Sequence, residues 1–515
     1  MRRFSIIIAL TFLLLATSTA SYGQTLGAVL TGSQEAPAPT TTPGFGNATV
    51  TFDATRQNIT ATITASNLGA AINNFHIHEG AAGVAGPVVI NFIGLGGTFV
   101  NGTMTGTFPV AADVAQRMVQ NPSNFYVNVH TTQFPGGAIR GQLAFVTGGP
   151  VAYAAELRGT NEVPPSGASS FGSAFVTFDP FNNNLTWEVN TSGIASPKLS
   201  HIHRGAAGVN GPVIINFATD ATQIANGRTK GTISVATLGA SDLTALASAA
   251  TASGYYVNVH SDAFGGGEIR GQLAAANQYD VAVAGRVTNG LGQTFVTDVR
   301  VFNPSYTQSA VALIEYLSGA NANINATASS VVNLAPRGTA VLDDIGGPTS
   351  LNVVGTIGAL RVTSVAQLAV TSRIYADLRS SGKGTLGQFV AGLPFANGLR
   401  RGVLPQLSNH ADTSSGYRTN TGFFNPNPSP VTVRLELRDV AGALLGQNTV
   451  TFAALSQQQN SITTYFPGVD LSNTVNMTMS FDASAPLFVY AAVNDNVSAD
   501  SICVVAQPDS GVAAN

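Results

Sequence analysis

Two long blocks of this sequence occur twice and in the same order, which limits its N-terminal half to two copies of one module. Residues 75–92 read Phe-His-Ile-His-Glu-Gly-Ala-Ala-Gly-Val-Ala-Gly-Pro-Val-Val-Ile-Asn-Phe, and residues 200–217 repeat them with few changes. Residues 126–143 and 256–273 share Tyr-Val-Asn-Val-His at the start and Ile-Arg-Gly-Gln-Leu at the end. The chain has 7 histidines, and six of them fall at matching places in these blocks.

Around the blocks, threonine alternates with apolar residues in Ala48–Phe52 and Ile59–Ala65, and Ala174–Phe178 and Leu185–Val189 correspond to them. Period two with threonine on the wet side describes strands half-buried in antiparallel sheets. The modules span about 25–146 and 151–276, with a short Thr147–Pro150 linker between them. A modest helical signal covers Asp113–Gln120 and stops before Asn121-Pro122, where the residue preceding proline resists helix. A clearer one covers 241–253. Ser241 caps it, Asp242 suits its positive end, Leu243 and Leu246 face inward, and Gly254 ends it.

Beyond Tyr279 the histidine blocks vanish and a different pair appears. Thr294–Pro304 and Gly416–Pro426 both end in Phe-Asn-Pro, and each is followed by a strand-like run, Ala310–Tyr316 or Val431–Leu437. Regular strands separated by Asn-Pro and Gly turns indicate immunoglobulin-like sandwiches at about 280–400 and 401–510. The expected fold is all-β, as four tandem antiparallel β-sandwich domains.

Composition narrows the function. Asp, Glu, Lys and Arg make up 10% of the chain, against about 25% in an average soluble domain. With a net charge of −3 there is no basic field to hold nucleic acid. Arg2 and Arg3, the apolar run Phe4–Ala16 and the small residues Thr17–Gly23 form a secretory signal over 1–24. The chain is therefore expected to be exported, to the periplasm or beyond, with no transmembrane segment in its mature form. Its single cysteine, Cys503, excludes an intrachain disulfide, and its apolar neighbours suggest a buried thiol.

The histidines carry the chemistry. Residues i and i+2 of a strand share a face, so His76 and His78 project together, as do His201 and His203. In Tyr-Val-Asn-Val-His the same alternation puts His130, and likewise His260, opposite the valines. If those strands pair, each module gathers three imidazoles with an open fourth position, an arrangement that suits copper or zinc. Glu79 offers a fourth ligand in the first module, but Arg204 replaces it in the second. The same pattern also fits histidines that only hydrogen-bond to backbone or to a carboxylate. Arg140 and Arg270 suit bracing of loops. No nucleophile motif, phosphate loop or carboxylate pair stands out, and His410 has no partner motif.

The joint motif resembles the CHRD (chordin-type) domain. Its parts are His-Ile-His-x-Gly-Ala-Ala-Gly-x-x-Gly-Pro-Val, Tyr-Val-Asn-Val-His and Gly-Gly-x-Ile-Arg-Gly-Gln-Leu. The openings Gly-Ser-Gln-Glu-Ala-Pro and Gly-Thr-Asn-Glu-Val-Pro-Pro belong with it. The resemblance covers roughly the first half of the chain and implies a secreted or cell-envelope protein. Chordin's growth-factor partner does not transfer, because its cysteine-rich modules are missing. Phe75-His-Ile-His-Glu-Gly80 also resembles the copper-binding strand of Cu/Zn superoxide dismutase. The bridging histidine, zinc-loop ligands and disulfide of that family have no counterpart here, so the likeness implies at most a single-metal site and not dismutation.

The leading expectation is an exported, non-enzymatic envelope or extracellular protein. It would bind or adhere to a protein or surface ligand and carry His76, His78 and His130, and His201, His203 and His260, as metal sites. The alternative is a metal-dependent copper redox protein.

Overall fold

The computed structural model describes residues 25–53, 56–147, 151–179, 184–235, 238, 242, 245–246, 253–290, 292–319, 326–382, 384–427, 430–498 and 500–509. The expected signal segment lies outside them. So does most of the helix expected over 241–253, of which Asp242, Ala245 and Leu246 are described and are helical, while Ser253 lies in a 3-10 turn.

The threonine-alternating segments are strands, as their periodicity requires. In the first module these are β1 (Thr25–Thr31), β2 (Phe45–Phe52), β3 (Asn58–Ser66), β4 (Ile72–Glu79), β5 (Val88–Asn91), β6 (Thr103–Pro109), β7 (Phe125–Thr131), β8 (Ile139–Gln142) and β9 (Ala144–Thr147). They hydrogen-bond in the order β5-β4-β7-β8-β1-β2-β3-β6, with β9 also on β1. A single pairing, Thr31 with Arg140, joins β1 to β8. The sheet therefore works as two layers hinged at that point. Between them lies a core that includes Leu26, Val50, Ile63, Ile77, Val127 and Ile139. The expected helix is present as α1 (Ala112–Gln120).

The second module repeats this arrangement. Its strands are β10 (Val151–Arg158), β11 (Phe171–Asp179), β12 (Asn184–Ser192), β13 (Pro197–Arg204), β14 (Val213–Ala218), β15 (Arg228–Ser234), β16 (Tyr255–Ser261), β17 (Ile269–Gln272) and β18 (Ala274–Ala275). Their order is the same, strand for strand. Its core, around Tyr153, Val176, Ile202 and Val257, is separate from that of the first module.

The C-terminal half forms two further antiparallel sandwiches, each with its own main core. In the last one a 23-residue strand, Asn473–Asp495, serves both layers. Its first half pairs with Val431–Arg438 and its second with Tyr417–Asn425. Cys503, expected to be buried, is half-buried beside the third domain's core. Burial pushes its thiol up to about 11, which disfavours the thiolate.

The two histidine modules each back onto a C-terminal sandwich. Ala144 of the first belongs to the fourth domain's core, and Arg434 lies 4.0 Å over the ring of Phe45. Ala154 and Phe175 of the second pack on Leu313 of the third. Among the described residues no helix is long and apolar enough to cross a membrane.

Candidate metal centre

Antiparallel pairing of β4 with β7 sets His76 opposite Asn128, His78 opposite Tyr126 and Asn74 opposite His130. Pairing of β7 with β8 adds Arg140 beside Asn128 and Gln142 beside Tyr126. The alternate residues Phe75, Ile77, Val127, Val129 and Ile139 fill the core. One face of this small sheet is thus apolar, while the other gathers imidazoles, a phenol, amides and a guanidinium.

The three expected histidines converge in both modules. His76, His78 and His130 each offer a ring nitrogen within 4.8 Å of the others, as do His201, His203 and His260. His76 Nδ1 lies 3.2 Å from His130 Nε2, and His201 Nδ1 lies 3.2 Å from His260 Nε2. Two ligands held at about 2.0–2.1 Å by a tetrahedral ion sit roughly 3.3 Å apart, so these pairs already have ligand spacing.

Backbone carbonyls fix the tautomers. The Nδ1–H of His78 donates to Gly86 O at 2.9 Å, and that of His130 to Pro135 O at 3.0 Å. His203 and His260 do the same with Gly211 and Gly265, at 2.9 and 3.0 Å. With Nδ1 carrying the proton, Nε2 keeps its lone pair, which is how metal-binding histidines are usually oriented. The lone pair on His130 Nε2 meets His76 Nδ1. The Nε2 atoms of His78 and His203 are buried and have no hydrogen-bond partner among the described residues. A buried acceptor without a partner costs about 1–3 kcal/mol, and the same orphan occurs in both copies. Each trio, His76 with His78 and His130, and His201 with His203 and His260, could hold a metal ion.

Electrostatics keep the imidazoles neutral. Burial, then His130 and His78, push His76 down to about 4, and burial, then His260 and His203, do the same to His201. Burial is also the largest cause holding His78, His130, His203 and His260 below the ordinary histidine range. Neutral rings are the form that ligates.

A stack supports the third ligand. His78 lies parallel to Tyr126 with ring centroids 4.8 Å apart, and the Arg140 guanidinium sits 3.4 Å over Tyr126. His203, Tyr256 and Arg270 repeat this at 4.7 and 3.3 Å. Arg140 donates to Ala81 O at 2.9 Å, and Arg270 to Ala206 O and Val209 O at 3.0 and 2.9 Å. The arginines brace the glycine-rich loop, as the sequence suggests. The Tyr126 hydroxyl accepts from Gly86 N at 3.0 Å.

Glu79 is not a ligand. It follows His78 and therefore faces the other way, where it takes Arg117 of α1 in a two-pronged pair of 3.0 and 3.1 Å. In the second module Arg204 pairs with Asp242 at 3.4 Å, the same contact with its charges exchanged. His410 accepts at Nδ1 from the Tyr417 N–H at 3.2 Å.

The glutamates of the two openings are buried residues that the sequence reading passed over. Asn128 donates to Glu35 at 3.3 Å and Asn258 to Glu162 at 2.8 Å. Burial pushes each carboxyl up to about 7 against the pull of Arg140 or Arg270. The second glycine of Gly-Gly-x-Ile-Arg is required here. Gly137 has φ +134°, and a Cβ on it would lie 2.5 Å from Glu35 Oε2. Gly267 has φ +126°, with Glu162 Oε1 at 2.6 Å from such a Cβ. The signal for Glu35 and Glu162 was their matching place in both openings.

The profile of the CHRD domain matches residues 26–143 and 153–273. No curated protein matches the chain. Among solved structures, the crystal structure of Thermotoga maritima 1070 is similar over 22% of this chain and 99% of that one, with 9% identity and a TM-score of 0.19. A tetra-tandem repeat in the extending region of a large adhesion protein is similar over 88% of this chain and 96% of that one, with 12% identity and a TM-score of 0.12. At such scores neither likeness bears on the site.

Proposed function

The chain carries two CHRD domains in tandem, and from what each of them holds we propose that it is an exported, non-enzymatic binding or adhesion protein with one copper or zinc ion per CHRD domain. Its partner on this reading is a protein or surface ligand outside the cytoplasm. The observation that carries the metal is the pair of buried, unpartnered Nε2 atoms on His78 and His203, each beside two further imidazoles at ligand spacing. Buried acceptors are usually paired, and these two lie beside further imidazoles, which is what favours a ligand there.

An ion held by these imidazoles would tie β4 to β7 and β13 to β16 and would supply Lewis acidity. The three imidazoles would position it, and the arginine–tyrosine stack keeps the third ring in place. A copper redox protein, the competing reading, draws on the same three imidazoles and has no separate observation in its favour.

Elemental analysis of metal-saturated, dialysed protein tests the reading, with about two ions per chain expected. Protein that retains no copper or zinc contradicts it. N-terminal sequencing of the exported protein tests the location. A mature chain starting near residues 21–25 agrees, whereas intact Met1 on a cytoplasmic protein does not.

A further inference from the structure

Both CHRD domains turn the same face toward a C-terminal sandwich, β11, β12 and β15 in the second module and β2, β3 and β6 in the first. In the second module this face is charged. Glu188 of β12 stands opposite Lys230 of β15 and accepts from Arg228 at 2.7 Å and from Ser329 of the third domain at 2.8 Å. The third domain answers with a triad across three adjacent strands, in which Arg361 sits between Asp280 and Glu315. Arg361 donates to Asp280 at 3.0 Å. The triad has one negative charge in excess, and Lys230 lines the same cleft as Glu315 and Arg361.

The other pair of domains reverses the signs. Asp482 sits between Arg401 and Arg434 on the corresponding strands of the fourth domain. The register of β3 and β6 puts Thr62, Thr105 and Thr103 where the second module has Glu188, Lys230 and Arg228. The positive excess therefore meets no carboxylate from the first module. Arg401 reaches Asp482 at 2.9 Å and lies 3.8 Å from Asp509. Arg434 pairs with Glu436 and covers Phe45. Arg400 is left over. Its Nε donates to Ala483 O at 3.2 Å, and it has no ion pair among the described residues.

Between the two domains lies a cleft of about 910 Å³, within the range of roughly 300–1,000 Å³ usual for small-ligand sites. One wall is Arg400, Arg401 and Asp482. The other is an uncharged lattice that includes Asn47, Thr49, Thr62, Thr64, Asn101 and Thr103. Register places Asn47, Thr64 and Thr103 in one row and Thr49 and Thr62 in the next. Rows of hydroxyls and amides about 5 Å apart across strands form a regular polar repeat. The Thr64 hydroxyl bonds the Asn47 backbone and that of Thr62 bonds Thr105, so their remaining lone pairs are what a ligand would meet.

We propose that this cleft binds an acidic saccharide, with the Arg400 guanidinium on its carboxylate and the threonine–asparagine face on its hydroxyls. Arg400 makes no ion pair among the described residues, though it lies in the field of Asp482, and a guanidinium fork matches a planar carboxylate in two-pronged fashion. A plain anion would use Arg400 and leave the lattice idle. The site is separate from the histidines and does not depend on a metal being bound there.

Calorimetric titration of the full mature chain with trigalacturonate tests this, with maltotriose and inorganic phosphate as comparisons. One trigalacturonate site per chain is expected, with maltotriose and phosphate binding at least about tenfold more weakly. Arg400→Ala should weaken trigalacturonate by about tenfold or more, and Thr62→Val and Thr64→Val by several-fold each, since valine keeps the strand but loses the hydroxyl. The double variant His78→Ala with His203→Ala should bind trigalacturonate unchanged. The proposal is overturned if trigalacturonate does not bind, or if Arg400→Ala binds it equally well. It is also overturned if maltotriose or phosphate binds as tightly, or if the valine variants have no effect.

Discussion

The guanidinium of Arg140 lies 3.4 Å above the ring of Tyr126, whose other face carries His78. Arg270 and Tyr256 repeat the contact at 3.3 Å in front of His203. Arg140 is among the most deeply buried large side chains of the chain, 1% exposed. A desolvated contact of this kind contributes about 2 kcal/mol, and the bond to Ala81 O about 1 kcal/mol more.

Arg140→Met should therefore destabilise the first module by about 3 kcal/mol and loosen the 80–87 loop. Amide hydrogen exchange would show faster exchange there, with the second module unchanged. Equal protection of the loop in variant and parent would contradict the bracing role.

The buried carboxyls give a pH dependence of definite sign. Glu35 and Glu162 are raised from 4.5 to about 7, chiefly by burial. The folded state thus prefers the protonated acid. Its cost is absent below about pH 4.5, grows as pH rises toward 7, and is complete above it. Glu35→Gln should accordingly stabilise the first module at pH 8, by an amount on the order of 3 kcal/mol, and do little at pH 4. Denaturant melts at the two pH values check this. A substitution effect that is the same at both would refute the assignment.

Glu79 pairs with Arg117 on the far side of the strand from His78. Glu79→Ala should change stability by less than about 1 kcal/mol, as expected for a partly exposed ion pair. It should leave metal uptake by the first module intact. Losing that module's ion on mutation would mean that Glu79 is a ligand after all.

Much of this site was legible in the sequence because strand periodicity is local. Alternation alone puts His76 with His78 and His201 with His203. It also places Glu79 on the opposite face, a consequence the fourth-ligand idea for that residue overlooked. The approach of His130 was not legible. It depends on the β4–β7 register, which slips by one residue between Ile72 and Asn74. Glu35 was out of reach for a similar reason. Its contact with Asn128 spans 93 positions and is made by a loop outside the alternating pattern. The all-β class followed from threonine alternation and turn residues. The seating of Ala144 in the fourth domain's core left no local signal, because an alanine in a short strand reads the same in either core.

The claim on which the account rests is that each CHRD domain holds one metal ion through its three histidines. Titrating Cu²⁺ or Zn²⁺ into metal-free protein and its variants tests it most directly. The parent chain should take up about two ions, His78→Ala about one, and His78→Ala combined with His203→Ala none. A parent chain that takes up neither metal, or a double variant that still binds two ions, would contradict it.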